Sequence, residues 1–476
     1  MQTLPLNTSQ SQTLEALQRF LEGCKWQADS KNHKQLVSIT LEANALDPLA
    51  VLESIYESEE LHFYVERPYE DFAMAGAEAV LHYCPSGPSR FSDAKAFICE
   101  TLDNTIAVGN ADLPFFGPHF FCSFSFFAEV REESPFPSAS IFVPRWQVSV
   151  AEGRCVANAN AVIDVDSNID EIAQRIWNAN TKFNSFDYSE VDPSIGRTRS
   201  DWKLVEEKEK GGSEAFGSAI RNALDGIEKG EIEKIVLARA LDLQANQAFH
   251  PLEILNALRE RFPDCFSFST ANGNGQSFIG ASPERMVRLK AGKLATEALA
   301  GSAPRGLSAA EDAQLGGALL KSEKDRREHD FVLRSTCKRL KGLGIAVETD
   351  ESPRLKRLVN VQHLRSSIEG NVPGDIHLLD IVDQLHPTPA VGGTPREKAQ
   401  ALIPSLENFE RGLYAGPIGW VDSKGEGDFL VSIRSALIDG KQAQLYAGAG
   451  IVEGSVPEKE IQETNWKFKA LMENLL

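Results

Sequence analysis

The 476-residue sequence lacks several features that would assign it to a class at once. It has no GxGxxG turn, no GxxxxGK[ST] loop and no run approaching about 18 apolar residues, so neither nucleotide binding nor a membrane span is indicated. Its seven cysteines are scattered without a CxxC pair, which favours buried, reduced thiols over a disulfide framework or a zinc site. No internal repeat is detectable, which excludes a solenoid.

Basic residues are scarce relative to acidic ones, and the net charge of −19 argues against nucleic acid or an anionic membrane as the main partner. A small anionic substrate remains possible, because a metal ion, an arginine or a helix N-terminus can reverse the field inside one cleft. The first residues, MQTLPLNTSQSQ, lack the basic and apolar regions of a secretory signal, so we expect a cytoplasmic protein.

The chain is long enough for one large or two ordinary domains, and its composition is that of a globular protein. Strand-like runs dominate the first half, including an aromatic stretch at 115–127 and a run at 138–150, both expected in the core. A charged connector at about 184–212 divides a β-rich half, residues 1–200, which completes the fold, from a catalytic region, residues 201–476.

The second half alternates strands and helices irregularly. Strands are predicted at 234–243 and at 277–289, the latter interrupted at Pro283, and helices at 213–230 and 251–262. A long helix follows Ser322, where SEKD can form a Ser/Asp variant of the capping box. This order predicts an α+β fold, with large antiparallel or mixed β-sheets forming a sandwich-like core and helices on the outside.

The segment SVPEKEIQETNWK predicts a helix with Glu460, Glu463 and Lys467 on one face, since offsets of three and seven fall within roughly a 60° arc. Such a face is commonly a solvated one. It becomes an ion-holding face if a second acidic helix meets it, and Glu328, within two turns of Ser322, offers the further carboxylate. Mg²⁺ prefers one or two carboxylates with water and substrate oxygens.

Two further residues are candidates for proton transfer. Lys234 opens a strand, where it is either a solvated edge charge or, if the strand is central, a base at a cleft. Glu284 follows a proline that breaks a strand and redirects its side chain. A partly apolar setting would raise its pKa and suit it to act as an acid.

Several strings occur in an order that is more specific than any one of them: KIVLAR, GASPER, TEALAGS, SEKDRREHDFV, LHPTPAVGG, SIRSA, YAGAGI and SVPEKEIQET. With them the sequence resembles the chorismate-utilising enzymes, and within that family the isochorismate synthases. The resemblance is strong over about residues 210–476 and loose over the first 200.

The resemblance implies an isomerase with chorismate as its substrate and Mg²⁺ as its cofactor. Lys234 would activate water for attack at C2, and Glu284 would protonate the departing C4 hydroxyl. The metal would be held by Glu328 and Glu463, with Glu460 a direct or water-mediated ligand. The residues expected to contact substrate are Gly301, Thr296, His363, Ala390, Arg434, Gly448 and Lys467. A monomer without an amidotransferase subunit is expected.

Three alternatives to an isochorismate synthase stay open: two other enzymes of the family and a relative without catalytic activity. The ammonia-using relatives, anthranilate and aminodeoxychorismate synthases, usually lack a lysine at the position of Lys234, which favours a water-using enzyme here. Salicylate synthases keep the lysine and go on to eliminate pyruvate, and Ala390 separates them only weakly. A non-catalytic chorismate-binding relative predicts a broken set of site residues, whereas the set is complete.

Overall fold

The computed structural model describes residues 1–4, 13–184, 201–359 and 361–475. Much of the predicted connector, residues 185–200, lies outside the described residues, and part of the remainder forms a strand at Leu204–Glu209. Within the described ranges there are 22 strands and 11 α-helices.

The strands are β1 Gln2–Leu4, β2 Gln35–Ala43, β3 His62–Arg67, β4 Phe72–Tyr83, β5 Thr105–Val108, β6 Phe120–Phe124, β7 Ala139–Ala151, β8 Arg154–Ile163, β9 Leu204–Glu209, β10 Lys234–Ala245, β11 Phe266–Ala271, β12 Gln276–Ser282, β13 Arg285–Lys290, β14 Lys293–Pro304, β15 Val347–Thr349, β16 Arg354–Arg357, β17 Val361–Asn371, β18 Gly393–Thr394, β19 Pro417–Val421, β20 Gly427–Val431, β21 Ser435–Asp439 and β22 Gln442–Val452.

The helices are α1 Leu14–Lys31, α2 Pro48–Ser54, α3 Arg90–Asp103, α4 Ile169–Asn184, α5 Gly212–Glu228, α6 Pro251–Arg261, α7 Ala309–Lys321, α8 Glu323–Gly342, α9 Leu378–Leu385, α10 Arg396–Leu406 and α11 Pro457–Leu475.

The strands form two branches of one sheet that share the long strand β7, which pairs with β4, β6 and β8. One branch runs β1–β5–β2–β8–β7–β4–β3–β11–β12–β21–β22–β10–β9. The other runs from β7 through β6, β19, β20, β13 and β14 to β17, which also pairs with β15 and β16. Among these pairings only β1–β5 and β2–β5 are parallel.

Buried aromatic side chains fill the space between the two branches. Phe63 on β3 stacks on Phe121 on β6 with 4.4 Å between ring centroids, and Phe121 makes an edge contact with Phe142 on β7. The aromatic stretch expected in the core therefore lies there, with Phe120 and Phe124 fully buried. The α+β class with large, mainly antiparallel sheets and outer helices is confirmed.

Strands from the two sides of residue 200 pair directly with each other. β3 pairs with β11 in one branch, and β6 pairs with β19 in the other. The N-terminal half thus completes both branches. The division into a completing half and a catalytic region remains a prediction about roles.

Most local predictions in the second half agree with the observed elements. The strand interrupted at Pro283 is two strands, β12 and β13, with Pro283 and Glu284 between them. Ser322 caps α8, because its Oγ accepts from the amide of Asp325 at 3.3 Å. The capping box is incomplete: the amide of Ser322 donates to Leu319 of α7, and the Asp325 carboxylate contacts the Ser322 hydroxyl instead.

All seven cysteines are free thiols, and four of them, Cys24, Cys122, Cys155 and Cys265, are buried as expected. Cys84 and Cys99 are exposed. No helix in the described ranges is both long and apolar enough to cross a membrane.

Candidate active site

A cleft opens between α8, α11 and the ends of β10, β14 and β22, with an open volume of about 880 Å³ that includes its solvent-filled mouth. Polar side chains that converge on it come from segments separated by more than a hundred residues. Its lining includes Glu284, Gly301, Ser302, Lys324, Asp325, Glu328, His363, Ala390, Tyr414, Arg434, Tyr446, Gly448, Gly450, Glu460, Glu463 and Lys467.

Helix α11 forms one wall of the cleft. Phe468 and Leu471 are buried in the core and fix the rotation of the helix, so Glu460, Glu463 and Lys467 face the cleft. Nζ of Lys467 donates to Oε1 of Glu463 and to the carbonyl of Gly448, both at 2.8 Å. The predicted shared face is therefore present, and it faces the cleft with Glu460 only 2% exposed.

Lys234 lies at the start of a central strand. β10 is flanked by β22 on one side and by β18 and β9 on the other, so the Lys234 side chain is completely buried. Its Nζ donates to Oε1 of Glu328 at 2.9 Å. Burial alone would raise the pKa of Glu328, but the hydrogen bond and charge of Lys234, together with the charges of Lys324 and Lys467, hold that pKa below its usual range.

Gly450 on β22 leaves the room in which this pair meets. A Cβ at this position would lie 2.4 Å from Oε1 of Glu328 and 3.2 Å from Cε of Lys234. Any side chain at position 450 would therefore separate or displace the two charged groups. The second glycine of YAGAG is required here by close approach.

Glu284 is buried at another side of the cleft and forms no ion pair with any described residue. Its closest polar side-chain contact is the hydroxyl of Thr388, at 3.4 Å. Burial raises the pKa of Glu284 to about 7, and the charge of Glu297 adds to this rise, while Lys356 and Lys234 oppose it. Near neutral pH this carboxyl can hold a proton to donate.

Arg434, His363 and Ser302 form a connected polar group in the cleft. Nη2 of Arg434 lies 3.0 Å from Nε2 of His363, whose Nδ1 lies 3.0 Å from Oγ of Ser302 and 3.3 Å from the carbonyl of Gly301. Burial and the Arg434 charge hold the pKa of His363 well below its usual range. A neutral His363 that accepts from Arg434 orients the guanidinium and leaves its other N–H groups for an anion.

Four carboxylates, Asp325, Glu328, Glu460 and Glu463, line the same cleft, and three of them have a lysine partner. Besides Lys234 and Lys467, Lys324 contacts Oε1 of Glu460 at 2.8 Å. Across the described ranges no three His, Cys, Asp or Glu side chains converge closely enough to form a ready-made metal cluster. These four carboxylates, which we call the carboxylate wall, therefore offer hard oxygen donors, and ammonium groups balance the charge of three of them.

The predicted site residues line the cleft except Lys234, which is buried behind the lining carboxylate of Glu328, and Thr296. The Thr296 hydroxyl donates to the carbonyl of Met286 at 2.5 Å, on the side of β14 that packs on β13, and it does not line the cleft. Gly301 does line it, at a bulge of β14 with φ +75°, a value that favours glycine. Ala390 also lies in the lining.

Residues 19–476 match the family model described as chorismate binding enzyme. The chain belongs to this family. As a chorismate-binding enzyme it is 30% identical over 460 residues to the isochorismate synthase MenF of Bacillus subtilis, covering 94% of this chain and 95% of that protein. It is 42% identical over 256 residues to a salicylate biosynthesis isochorismate synthase of Pseudomonas aeruginosa, where the match spans about half of each protein, 54% of this chain and 53% of the other.

The fold of this chorismate-binding enzyme is also that of a solved relative. The menaquinone-specific isochorismate synthase MenF of Escherichia coli superposes with a TM-score of 0.78 at 26% identity, covering 97% of this chain and 99% of the other.

Sequence reasoning missed several residues that line the cleft. Lys324 and Asp325 lie within SEKD, four and three residues before Glu328. This spacing places them on the same helix face as Glu328, so the sequence could have predicted that they line the cleft. Tyr414 and Tyr446 stack with 5.1 Å between centroids and form an aromatic side of the cleft. Their meeting has no local signal, because the two rings come from separate segments.

Proposed function

We propose that the protein is an isochorismate synthase, which interconverts chorismate and isochorismate. The observation that carries the proposal is one cleft with a buried lysine, Lys234, paired to the lining carboxylate of Glu328, and a buried glutamate, Glu284, that forms no ion pair with a described residue. Exchange of an allylic hydroxyl needs a base for the incoming water and an acid for the departing hydroxyl. The similarity to isochorismate synthases along nearly the whole chain supports the same reaction.

To act as the base, Lys234 first gives a proton of its ammonium form to solvent, and it then takes a proton from water as the water oxygen bonds to C2 of chorismate. The ring double bonds shift, the C4–O bond breaks, and Glu284 gives its proton to the departing hydroxyl, which leaves as water. Lys234 ends the step protonated and Glu284 ends it ionised, so one proton returns from base to acid through solvent. The buried Glu328 partner accommodates the ammonium form of Lys234 at 2.9 Å.

The substrate dianion is held by cationic side chains of the cleft. Arg434 forms no ion pair with a described carboxylate, so its planar guanidinium is available to a substrate carboxylate. Lys467 adds a second positive charge on the α11 wall. Ala390 and the Tyr414 ring shape the space around the substrate ring.

The carboxylate wall fits a hard divalent cation, since its donors are carboxylate oxygens of the kind that Mg²⁺ binds. Glu328, Glu460 and Glu463 would hold the ion, with Glu460 and Glu463 exchanging their contacts with Lys324 and Lys467 for it. The ion would supply charge neutralisation between these glutamates and a carboxylate of chorismate.

Water is the proposed nucleophile, so the reaction requires no ammonia-supplying amidotransferase subunit. The absence of such a subunit, and a monomeric state, remain predictions. Size-exclusion chromatography with light scattering measures the state directly.

Product analysis tests the proposal. The purified protein is incubated with chorismate with and without Mg²⁺, and the products are separated by chromatography. Isochorismate that requires both the metal and an intact Lys234 supports the proposal. Salicylate with pyruvate would identify a salicylate synthase instead, and no turnover at any metal concentration would favour a non-catalytic binding protein.

A further inference from the structure

A second buried ion pair lies directly behind the proposed acid, outside the cleft lining. Nζ of Lys356 on β16 lies 2.6 Å from Oε1 of Glu297 on β14, and their side chains are 13% and 6% exposed. Nε of Arg365 on β17 donates to the other carboxylate oxygen of Glu297. A buried ion pair contributes little net stability to a protein, because removing the two charges from water costs free energy. Stability alone therefore does not explain these three charged residues beside the cleft, which points to a role in the site.

Lys356 also holds the backbone that carries the acid. Its Nζ donates to the carbonyl of Pro283 at 2.6 Å. The amide of Glu284 donates to Oγ of Ser282 at 3.2 Å, and the carbonyl of Glu284 accepts from the amide of Val431 at 3.1 Å. The peptide at Glu284 is therefore fixed from β12, β16 and β20.

Charged and titratable groups face the Glu284 carboxyl from several elements. Glu297 lies on β14, Lys356 on β16, Lys234 on β10 and Tyr414 before β19. Burial does most to raise the pKa of Glu284, the charge of Glu297 adds to it, and Lys356 and Lys234 lower it. Burial raises the pKa of Tyr414, so the phenol stays neutral near pH 7.

We infer that Glu297 and Lys356 are a positioning pair for the acid: Glu297 holds the ammonium of Lys356, and Lys356 fixes the Pro283–Glu284 peptide by donating to the carbonyl of Pro283. This inference rests on the proposed function of Glu284. Neither Glu297 nor Lys356 lines the cleft, and Lys356 contacts the lining residue Pro283 through its backbone carbonyl, so both act through the Glu284 segment rather than on the substrate. Without the Glu297 charge, the Lys356 and Lys234 cations would favour the ionised, inactive form of the acid.

The first measurement is the pH profile of kcat/KM for wild type and Glu297→Gln between pH 5 and 9. One charge at close range shifts a pKa by about one unit or more, so the alkaline limb of Glu297→Gln should move down by about one pH unit. At pH 8 its kcat/KM should be about tenfold below wild type, and near pH 5 the two should converge. Glu297→Asp, which keeps the charge, should restore most of the wild-type profile.

Lys356→Met separates the two roles of the pair. It removes a cation, which moves the alkaline limb upward, and it removes the donor to Pro283, which lowers kcat at every pH. Asp47→Asn is the matched control, because Asp47 forms a partly buried ion pair with Arg259 at 2.7 Å away from the cleft. This control should leave the limb in place. A folded, active Glu297→Gln variant with the wild-type limb would overturn the inference.

A readout without turnover separates this inference from the proposed function. The stability of each protein and of its Glu284→Gln derivative is measured by urea unfolding across pH, in the wild-type and the Glu297→Gln backgrounds. The raised folded-state pKa means that the parent loses stability relative to Glu284→Gln as pH rises towards that pKa. The pH at which this loss levels off, which corresponds to the folded-state pKa, should fall by about one unit in the Glu297→Gln background.

Product analysis and the stability measurement together distinguish the proposed function from the role of the pair. A shifted levelling-off pH in a protein that makes no isochorismate would defeat the proposed function and retain the charge effect of Glu297. Normal isochorismate formation with neither the alkaline limb nor the levelling-off pH shifted would leave the function intact and reduce the pair to a structural one.

Discussion

Glu328 and Glu284 are buried glutamates of one cleft, and their surroundings act on them in opposite directions. Lys234 lies 2.9 Å from Glu328 and lowers its pKa, whereas Glu284 has no ion-pair partner in the part of the chain that the structure describes, and burial raises its pKa to about 7. One side of the cleft thus stabilises a carboxylate and the other a carboxylic acid. An exchange of hydroxyl groups at two ring carbons uses this difference, because proton removal and proton delivery occur at separate places.

Replacement of the lysine should have the largest effect. Lys234→Ala removes the proposed base, and we expect kcat to fall by about 10⁴-fold, the upper range for loss of one acid–base group. Chorismate binding should change little, because Arg434 and Lys467 remain. Stopped reactions measured by chromatography, with calorimetric binding in parallel, provide the measurement. Wild-type turnover in this variant would remove Lys234 from the mechanism.

Replacement of the acid should have the next largest effect. Glu284→Gln keeps the shape and the Thr388 contact but cannot deliver a proton, so we expect a fall in kcat of about 10²- to 10³-fold with KM nearly unchanged. Glu284→Asp, which retains an acid at a longer distance, is the matched comparison. Equal kcat in Glu284→Gln and wild type would show that the departing hydroxyl is protonated by another group.

A smaller effect is expected on the carboxylate wall. Glu463→Gln should raise the Mg²⁺ concentration needed for half-maximal activity and the KM for chorismate together, each by about tenfold, because one charged oxygen donor is lost. The control is Glu473→Gln on the same helix, which removes a carboxylate paired with Arg261 outside the cleft lining. A magnesium titration unchanged in Glu463→Gln would place the ion elsewhere.

The wild-type pH profile sharpens the comparison without a substitution. Glu284 acts as an acid, so its active form is the protonated one, which decreases as pH rises through about 7. The kcat/KM of the wild type should therefore fall on the alkaline side with a midpoint near pH 7, losing about tenfold per further pH unit. A profile flat from pH 6 to pH 9 would contradict the acid role.

The sequence alone predicted the parts of the site whose signals are local. The spacing of Glu460, Glu463 and Lys467 placed them on one face of α11, and the alternation after Lys234 predicted β10. The family strings then linked these elements, which composition and periodicity could not do. The core position of the aromatic stretch also followed from its pattern, and β6 and β7 confirm it.

The parts that were missed or misplaced depend on tertiary contacts. Thr296 shares a motif with Gly301, but it lies five residues earlier on β14, where its hydroxyl donates to the carbonyl of Met286 and does not line the cleft. Proximity in sequence therefore did not bring Thr296 to the cleft. The contact of Lys356 with Pro283 joins positions 73 residues apart, and neither has a local pattern that marks it. Pairings of this kind are fixed by strand register, which one sequence does not reveal.

Strand β7 gives the N-terminal half a role in the cooperativity of the molecule. Its backbone hydrogen-bonds to β4, β6 and β8, and through them it belongs to both branches of the sheet. Local opening of β7 would break bonds in both branches at once, so its amide protons should exchange with solvent only when the whole protein unfolds. Strand β7, which contributes no side chain to the cleft lining, would then be among the slowest segments in hydrogen exchange. It would stabilise the fold on which the active site depends without taking part in the reaction.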